Sequence, residues 1–186
     1  MTVQEFINTD HVHPHLPHGQ KDTRDHMSSP DKFGAWLVDF GLISRGAPVS
    51  SEELARAREV REALRALAYV NHGGPVDEGA VQTLDQASLR AHLHVHFERD
   101  GLAVLVPSGE GVDAAIGRVL AIVYRSMADG TWERFKVCRE SSCGWAFYDY
   151  SKNHSSAWCN MKVCGNRAKA RAYRERHGSQ RARHRE

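Results

Sequence analysis

Cysteine is absent from the first 137 residues of this 186-residue chain. No apolar run approaches the roughly 18 residues that a membrane span needs, so no integral membrane protein is expected. The amino terminus lacks a basic start followed by an apolar stretch, and therefore resembles no secretory signal. A soluble, cytoplasmic protein is the simplest expectation. Also missing are a phosphate loop, a dinucleotide fingerprint and a Ser-His-Asp order, which leaves no familiar basis for an enzyme. There is no internal repeat and no long low-complexity stretch.

What is present is ordinary globular composition, 41% hydrophobic and 26% charged, in helical periodicity. Ser29-Pro30-Asp31 supplies an N-cap, a proline at the first helical position and an early acid, predicting a helix to about Ser44. Trp36, Leu37, Phe40 and Ile43 form its apolar stripe. Ser50 and Glu53 have capping-box spacing and begin a longer helix to Asn71, with Leu54, Ala57, Val60, Leu64, Leu67 and Ala68 inward. A weaker helix covers Asp77 to about Leu89. Alternation then replaces the helical period: 92–97 and 102–106 around Asp100-Gly101 predict a hairpin. A further helix spans about Gly109 to Ala128, presenting Ile116, Val119, Leu120, Val123, Tyr124 and Met127 on one face. The expected fold is mainly α (α+β): a helical body at 1–130 with one hairpin, a small four-cysteine module at 131–178, and a disordered basic tail at 179–186.

All four cysteines fall within 27 residues, as Cys138-x4-Cys143, fifteen residues, then Cys159-x4-Cys164. In a reducing compartment such a cluster reads as metal ligands rather than two disulfides. Soft thiolates in a tetrahedron suit zinc, and a closed shell leaves no position for an activated water. An iron-sulfur cluster also uses four cysteines, but nothing else here resembles electron-transfer runs. A 56-residue segment is too short for its own core, so the metal would supply its folding energy, on the order of 10 kcal/mol. Trp145, Phe147, Tyr148 and Trp158 between the ligand pairs fit a miniature core better than base-stacking platforms. Asp149 and Ser151 could support the ligands by hydrogen bonding.

The net charge of +2 conceals two opposite halves. Residues 1–130 carry 12 Lys/Arg against 18 Asp/Glu, whereas 131–186 carry 13 against 5. A basic segment of that kind commonly meets phosphate. Beyond the last cysteine, alternating alanines and basic residues predict a helix ending before Gly178. Arg167, Arg171 and Arg174 share a face, with Lys169 and Arg176 as flanking residues, so these five are the candidate DNA contacts. Pairing with the acidic body is the competing use of the same side chains.

The run Val137-Cys138, Cys143-Gly144-Trp145-Ala146-Phe147-Tyr148-Asp149-Tyr150-Ser151, Trp158-Cys159-Asn160-Met161 and Val163-Cys164-Gly165-Asn166-Arg167-Ala168-Lys169 resembles the CGNR zinc finger. In that family the finger follows a helical ABATE domain, and the preceding chain is similar in length, helical character and its early Phe6-Ile7-Asn8-Thr9. The resemblance implies a bacterial, stress-induced transcription regulator holding one zinc through Cys138, Cys143, Cys159 and Cys164, with DNA contact by the finger. One departure is that members often carry two arginines just before the Trp-Cys, where this chain has Ser156-Ala157. The helical body would sense a small-molecule effector or form a homodimer. The alternatives are a zinc-stabilised protein-interaction module, and a ligand-binding protein or enzyme with its pocket in the helical body.

Twelve histidines raise the question of a second site. His92, His94 and His96 fall on one face of the predicted hairpin, opposite Leu93, Val95 and Phe97, and are candidates for a metal or small ligand. His11, His13, His15 and His18 form a second cluster in a polar loop.

Overall fold

The computed structural model of the chain describes residues 2–10 and 25–183, so His11, His13, His15 and His18 lie outside the described residues. The main elements among the described residues are six α-helices and two small antiparallel hairpins, α1 (Val3–Ile7), α2 (Pro30–Asp39), α3 (Ser51–Val70), α4 (Glu78–Arg90), β1 (Leu93–Phe97), β2 (Ala103–Pro107), α5 (Gly111–Ala128), β3 (Phe135–Val137), β4 (Ala146–Tyr148) and α6 (Asn166–Arg183), joined by shorter helical turns.

The helix boundaries follow local chemistry. Ser50 Oγ accepts from Glu53 N at 3.1 Å and the Glu53 carboxylate accepts from Ser50 N at 2.7 Å, closing the box that starts α3. α2 ends earlier than its apolar stripe suggests. Gly41 takes φ +65, Gly41 N bonds Val38 O and Leu42 N bonds Leu37 O, a Schellman termination that turns the chain before Ile43. Leu42 and Ile43 still pack on the core, from the loop rather than from the helix. α5 buries Val112, Ala115, Ile116, Val119, Leu120 and Val123, while Tyr124 and Met127, expected on that face, are exposed. The buried stripe runs through Val112 and Ala115 at the amino-terminal end instead.

The β1–β2 hairpin pairs Phe97 with Ala103 and Leu93 with Pro107. Its expected inner face is not buried beyond the first residue: Leu93 packs on the core, but Val95 is 58% and Phe97 71% exposed. The strands leave the body after one turn's length, so alternation here reports strand geometry without burial.

α1 carries no predicted periodicity of its own, and five residues cannot sustain an isolated helix. It is held by burial of Phe6 and Ile7, each contributing about 1.5–3 kcal/mol, and by the Thr2–Glu5 capping box. Two arginines of α3 fasten the turn that follows: Arg61 pairs with Asp10 at 3.1 Å and Arg65 with Asp10 at 2.9 Å, and Arg65 also donates to Ile7 O at 2.8 Å.

One apolar core runs through both parts of the chain. Trp132, Phe135, Val137 and Ala146 belong to the same buried cluster as Phe6, Phe33 and Leu64. The β3–β4 hairpin therefore borrows the core of the helical body. Polar contacts reinforce the seam: Asn8 Nδ2 donates to Ala146 O and Ala146 N donates to Asn8 Oδ1, both at 2.9 Å, as an added strand would. Arg65 reaches Gly144 O at 2.8 Å, Asn71 donates to Trp132 O and Phe135 O at 2.8 and 2.7 Å, and His72 Nε2 donates to Val137 O at 2.8 Å. Burial favours the neutral ring and lowers the His72 pKa, while the Val137 carbonyl that accepts its hydrogen bond pulls the other way. Asn8→Ala leaves the buried Ala146 amide and carbonyl unpaired and is expected to cost about 2–3 kcal/mol, read as a lower urea midpoint. An unchanged midpoint would show that this seam is not needed.

Candidate metal centre

The first ligand pair sits at the open end of the β3–β4 hairpin. Cys138 follows β3 and its N–H bonds Trp145 O at 2.9 Å, extending the ladder past the strand end. A tight turn then returns the chain, with Cys143 N donating to Glu140 O at 2.8 Å. The second pair lies on either side of Asn160, which caps a π-helical turn over Met161–Gly165: its Oδ1 accepts from Lys162 N at 2.8 Å and Val163 N at 3.2 Å. The cap lifts Cys164 against the other three sulfurs, where it is fully buried.

All four Sγ atoms lie within 4.8 Å of one another, with Cys143–Cys159 at 3.6 Å and Cys159–Cys164 at 3.7 Å. A disulfide needs about 2.05 Å, and every cysteine is free. In a four-thiolate tetrahedron with zinc–sulfur bonds near 2.3 Å the sulfurs stand roughly 3.8 Å apart. The cluster fits one structural zinc ion, which would supply the positive charge that four thiolates require and would cross-link both chelating loops.

The electrostatics point the same way. Donation from Cys143 and Cys159 pulls the Cys138 pKa down to about 2, while Cys143 is pushed up to about 12 because its proton is held on Cys138. Cys159 rises for the same reason, and Cys164 rises through burial. Four sulfurs this close cannot all carry negative charge without a cation between them. Backbone N–H groups of Cys159 and Glu140 also face Cys138 sulfur, and that of Trp145 faces Cys143, as donors to thiolate. Phe147, Trp145, Trp158 and Val163 pack against the sulfurs as a small apolar shield. The aromatic residues thus form the expected miniature core, with Tyr148 in a tilted contact with the 84% exposed Tyr150 at its edge.

Asp149 does not touch a cysteine. Its buried carboxylate accepts from Lys136 Nζ at 2.8 Å, Ser151 N at 2.9 Å and Ser156 N at 2.9 Å, so it fixes the loop between the two ligand pairs. Burial raises its pKa, but Lys136 and the two serines outweigh burial and hold the group below the usual carboxylate range. Lys136 and Glu140 carry no local pattern that sequence reasoning could detect. Glu140 is 2% exposed in its side chain and receives Arg171 in a bidentate pair, 2.7 and 2.9 Å. The Arg171 guanidinium, ahead of the opposing effect of burial, lowers the Glu140 pKa.

That pair changes the reading of the basic helix. Arg171, expected among the DNA contacts, is held by the first chelating loop and serves to fasten α6 to the cysteine cluster. Arg167, Lys169, Arg174 and Arg176 are exposed. Lys169 and Arg176 do not flank the Arg167–Arg171–Arg174 face: at 100° per residue they project from the opposite side. α6 also continues to Arg183, past Gly178, so 179–183 is helical where a disordered tail is expected. One glycine costs a helix only about 1 kcal/mol relative to alanine, and the neighbouring Arg, Gln and Ala residues are good helix formers. Residues 184–186 lie outside the described residues.

Among the described residues the four cysteines are the one group of three or more potential ligands whose donor atoms converge. His92, His94 and His96 do not converge; His94 Nδ1 instead turns toward its neighbour's carbonyl, His92 O, at 3.1 Å. No helix of the described residues is long and apolar enough to cross a membrane.

A family model for the CGNR zinc finger matches residues 134–177, and one for ABATE, described as "Putative stress-induced transcription regulator", matches residues 2–130. No curated protein matches the chain. The ABATE match spans well over half of the sequence and the finger match contains all four converging cysteines, so the chain belongs to the ABATE family and carries a CGNR zinc finger.

Proposed function

We propose that this protein is a transcription regulator that binds duplex DNA through α6, using the zinc finger as a scaffold and not as a catalyst. The observation that carries this reading is the character of α6. It is an 18-residue helix, about 27 Å long, joined to the finger at its first turns. From Ala172 to His177 every side chain is exposed, and the helix offers no apolar stripe for another protein to cover. Its two basic rows, Arg167 with Arg174 and Lys169 with Arg176, lie on opposite sides of the axis. Such a helix suits a groove with phosphates along both walls. Arg171 and Glu140 set the angle at which it leaves the finger.

The zinc-loaded protein is titrated against duplex DNA at two salt concentrations. Four phosphate contacts predict roughly a hundredfold loss of affinity between 50 and 200 mM salt. Arg167→Ala with Arg174→Ala should reduce affinity at low salt and flatten that dependence while zinc content stays the same. Absence of binding at 50 mM salt would end the DNA reading.

A further inference from the structure

A cavity of about 270 Å³ opens between α3, α4 and α5, lined by no residue of the cysteine module. Its floor is apolar, made by Val60, Ala87 and Ile116. Its walls carry charge of both signs in equal number: Arg56 and Arg90 against Glu59 and Asp113. Gln82, Gln86 and Thr83 add amide and hydroxyl groups.

These charges are poorly spent on one another. Arg56 approaches Asp113 only at 3.7 Å, and its Nε is buried without a hydrogen-bond partner. Buried donors are nearly always paired, so a guanidinium held this way is available to a better acceptor. The Glu59 and Arg90 side chains line the cavity at exposed positions, open to an incoming molecule. α4 buries only Ala87, so the space beside it is left open to side chains that tie down little. A cavity just below the roughly 300 Å³ at which drug-sized pockets begin admits a molecule of about ten heavy atoms.

We infer that this cavity binds a small zwitterion of free α-amino acid type, its carboxylate on Arg56 and Arg90, its ammonium on Glu59 and Asp113, and its side chain on the apolar floor. A lone anion would meet two carboxylates and a lone cation two guanidiniums, whereas a zwitterion pairs with both. The site is carried by the helical body alone, so it stands whether or not α6 binds DNA. It also places an occupant on the same helix that holds the finger: Arg56 precedes Arg65, the residue bonded to Gly144 O, by about 14 Å along α3.

The test is calorimetric titration of the full zinc-loaded chain with each of the twenty common L-amino acids, then with the methyl ester and the N-acetyl derivative of any that binds. At least one amino acid should bind saturably at millimolar concentration or below. Both derivatives should then weaken binding about tenfold or more, the loss expected for a charged hydrogen bond. Glu59→Gln and Arg90→Gln, at exposed positions that should leave folding intact, should each do the same. No saturable heat with any of the twenty at about 10 mM, parental affinity in either variant, or sensitivity to only one of the two derivatives would overturn the assignment.

Discussion

Replacing Cys164 with serine is expected to abolish zinc binding and to unfold much more than the finger. Cys164 is fully buried among the other sulfurs, and a hydroxyl at that place is neither a thiolate nor a satisfied polar group. Structural zinc contributes on the order of 10 kcal/mol or more to modules of this size, and three ligands retain only part of it. The loss spreads because β3 and β4 have no core of their own: Phe135, Val137 and Ala146 pack into the cluster that contains Phe6 and Leu64. Withdrawing them opens that cluster and breaks the Asn8 and Arg65 seams together. Even 4 kcal/mol transmitted to the body lowers the midpoint by roughly 10 °C in a chain of this size. Zinc analysis of the variant with a thermal melt followed by far-ultraviolet dichroism, which reports all the helices, checks this. A zinc-free variant that melts where the parent does would show two independent units.

Asp149→Ala is expected to cost about 3–5 kcal/mol, because it leaves the Lys136 ammonium buried and unpaired. Lys136 is 4% exposed and has Asp149 and His154 O as its partners, so no rearrangement at the surface can rescue it. The same substitution strips acceptors from Ser151 N and Ser156 N, loosening the loop that delivers Cys159. Pairing it with Lys136→Met removes the orphaned charge and should restore part of the loss, a coupling that a double-mutant cycle in urea measures. The pH dependence has a definite sign. The folded Asp149 pKa lies below that of the unfolded chain, so its contribution is complete above about pH 4, the unfolded value, and declines as pH falls toward the folded value. The stability difference between parent and Asp149→Ala should therefore be constant near neutrality and shrink in acid. A difference that grows below pH 4 would contradict the assignment.

Local signals in the sequence located what local chemistry builds. The Ser50–Glu53 box, the Ser29-Pro30 start, the Asp100-Gly101 turn and the cysteine spacing are each decided within a few residues, and the structure has them. What the sequence did not disclose depends on distant partners. α1 and the β3–β4 hairpin are too short to show a period and exist because Phe6 and Val137 meet one core across the chain. Asn8 copying a strand against Ala146 joins residues 138 positions apart, and nothing near either announces it. Nothing near Glu140 in the sequence announces that it is buried and paired with Arg171, thirty-one positions away. The hairpin errs in the other direction: alternation at Val95 and Phe97 is genuine, but there is no body behind it.

The coordination of the metal is the most direct check on the centre around which all of this is arranged. X-ray absorption at the zinc edge, on reduced protein with its metal content determined, should give one zinc per chain with four sulfur neighbours at about 2.3 Å. A shell containing nitrogen or oxygen, or freshly purified reduced protein without zinc, would contradict a site built from Cys138, Cys143, Cys159 and Cys164.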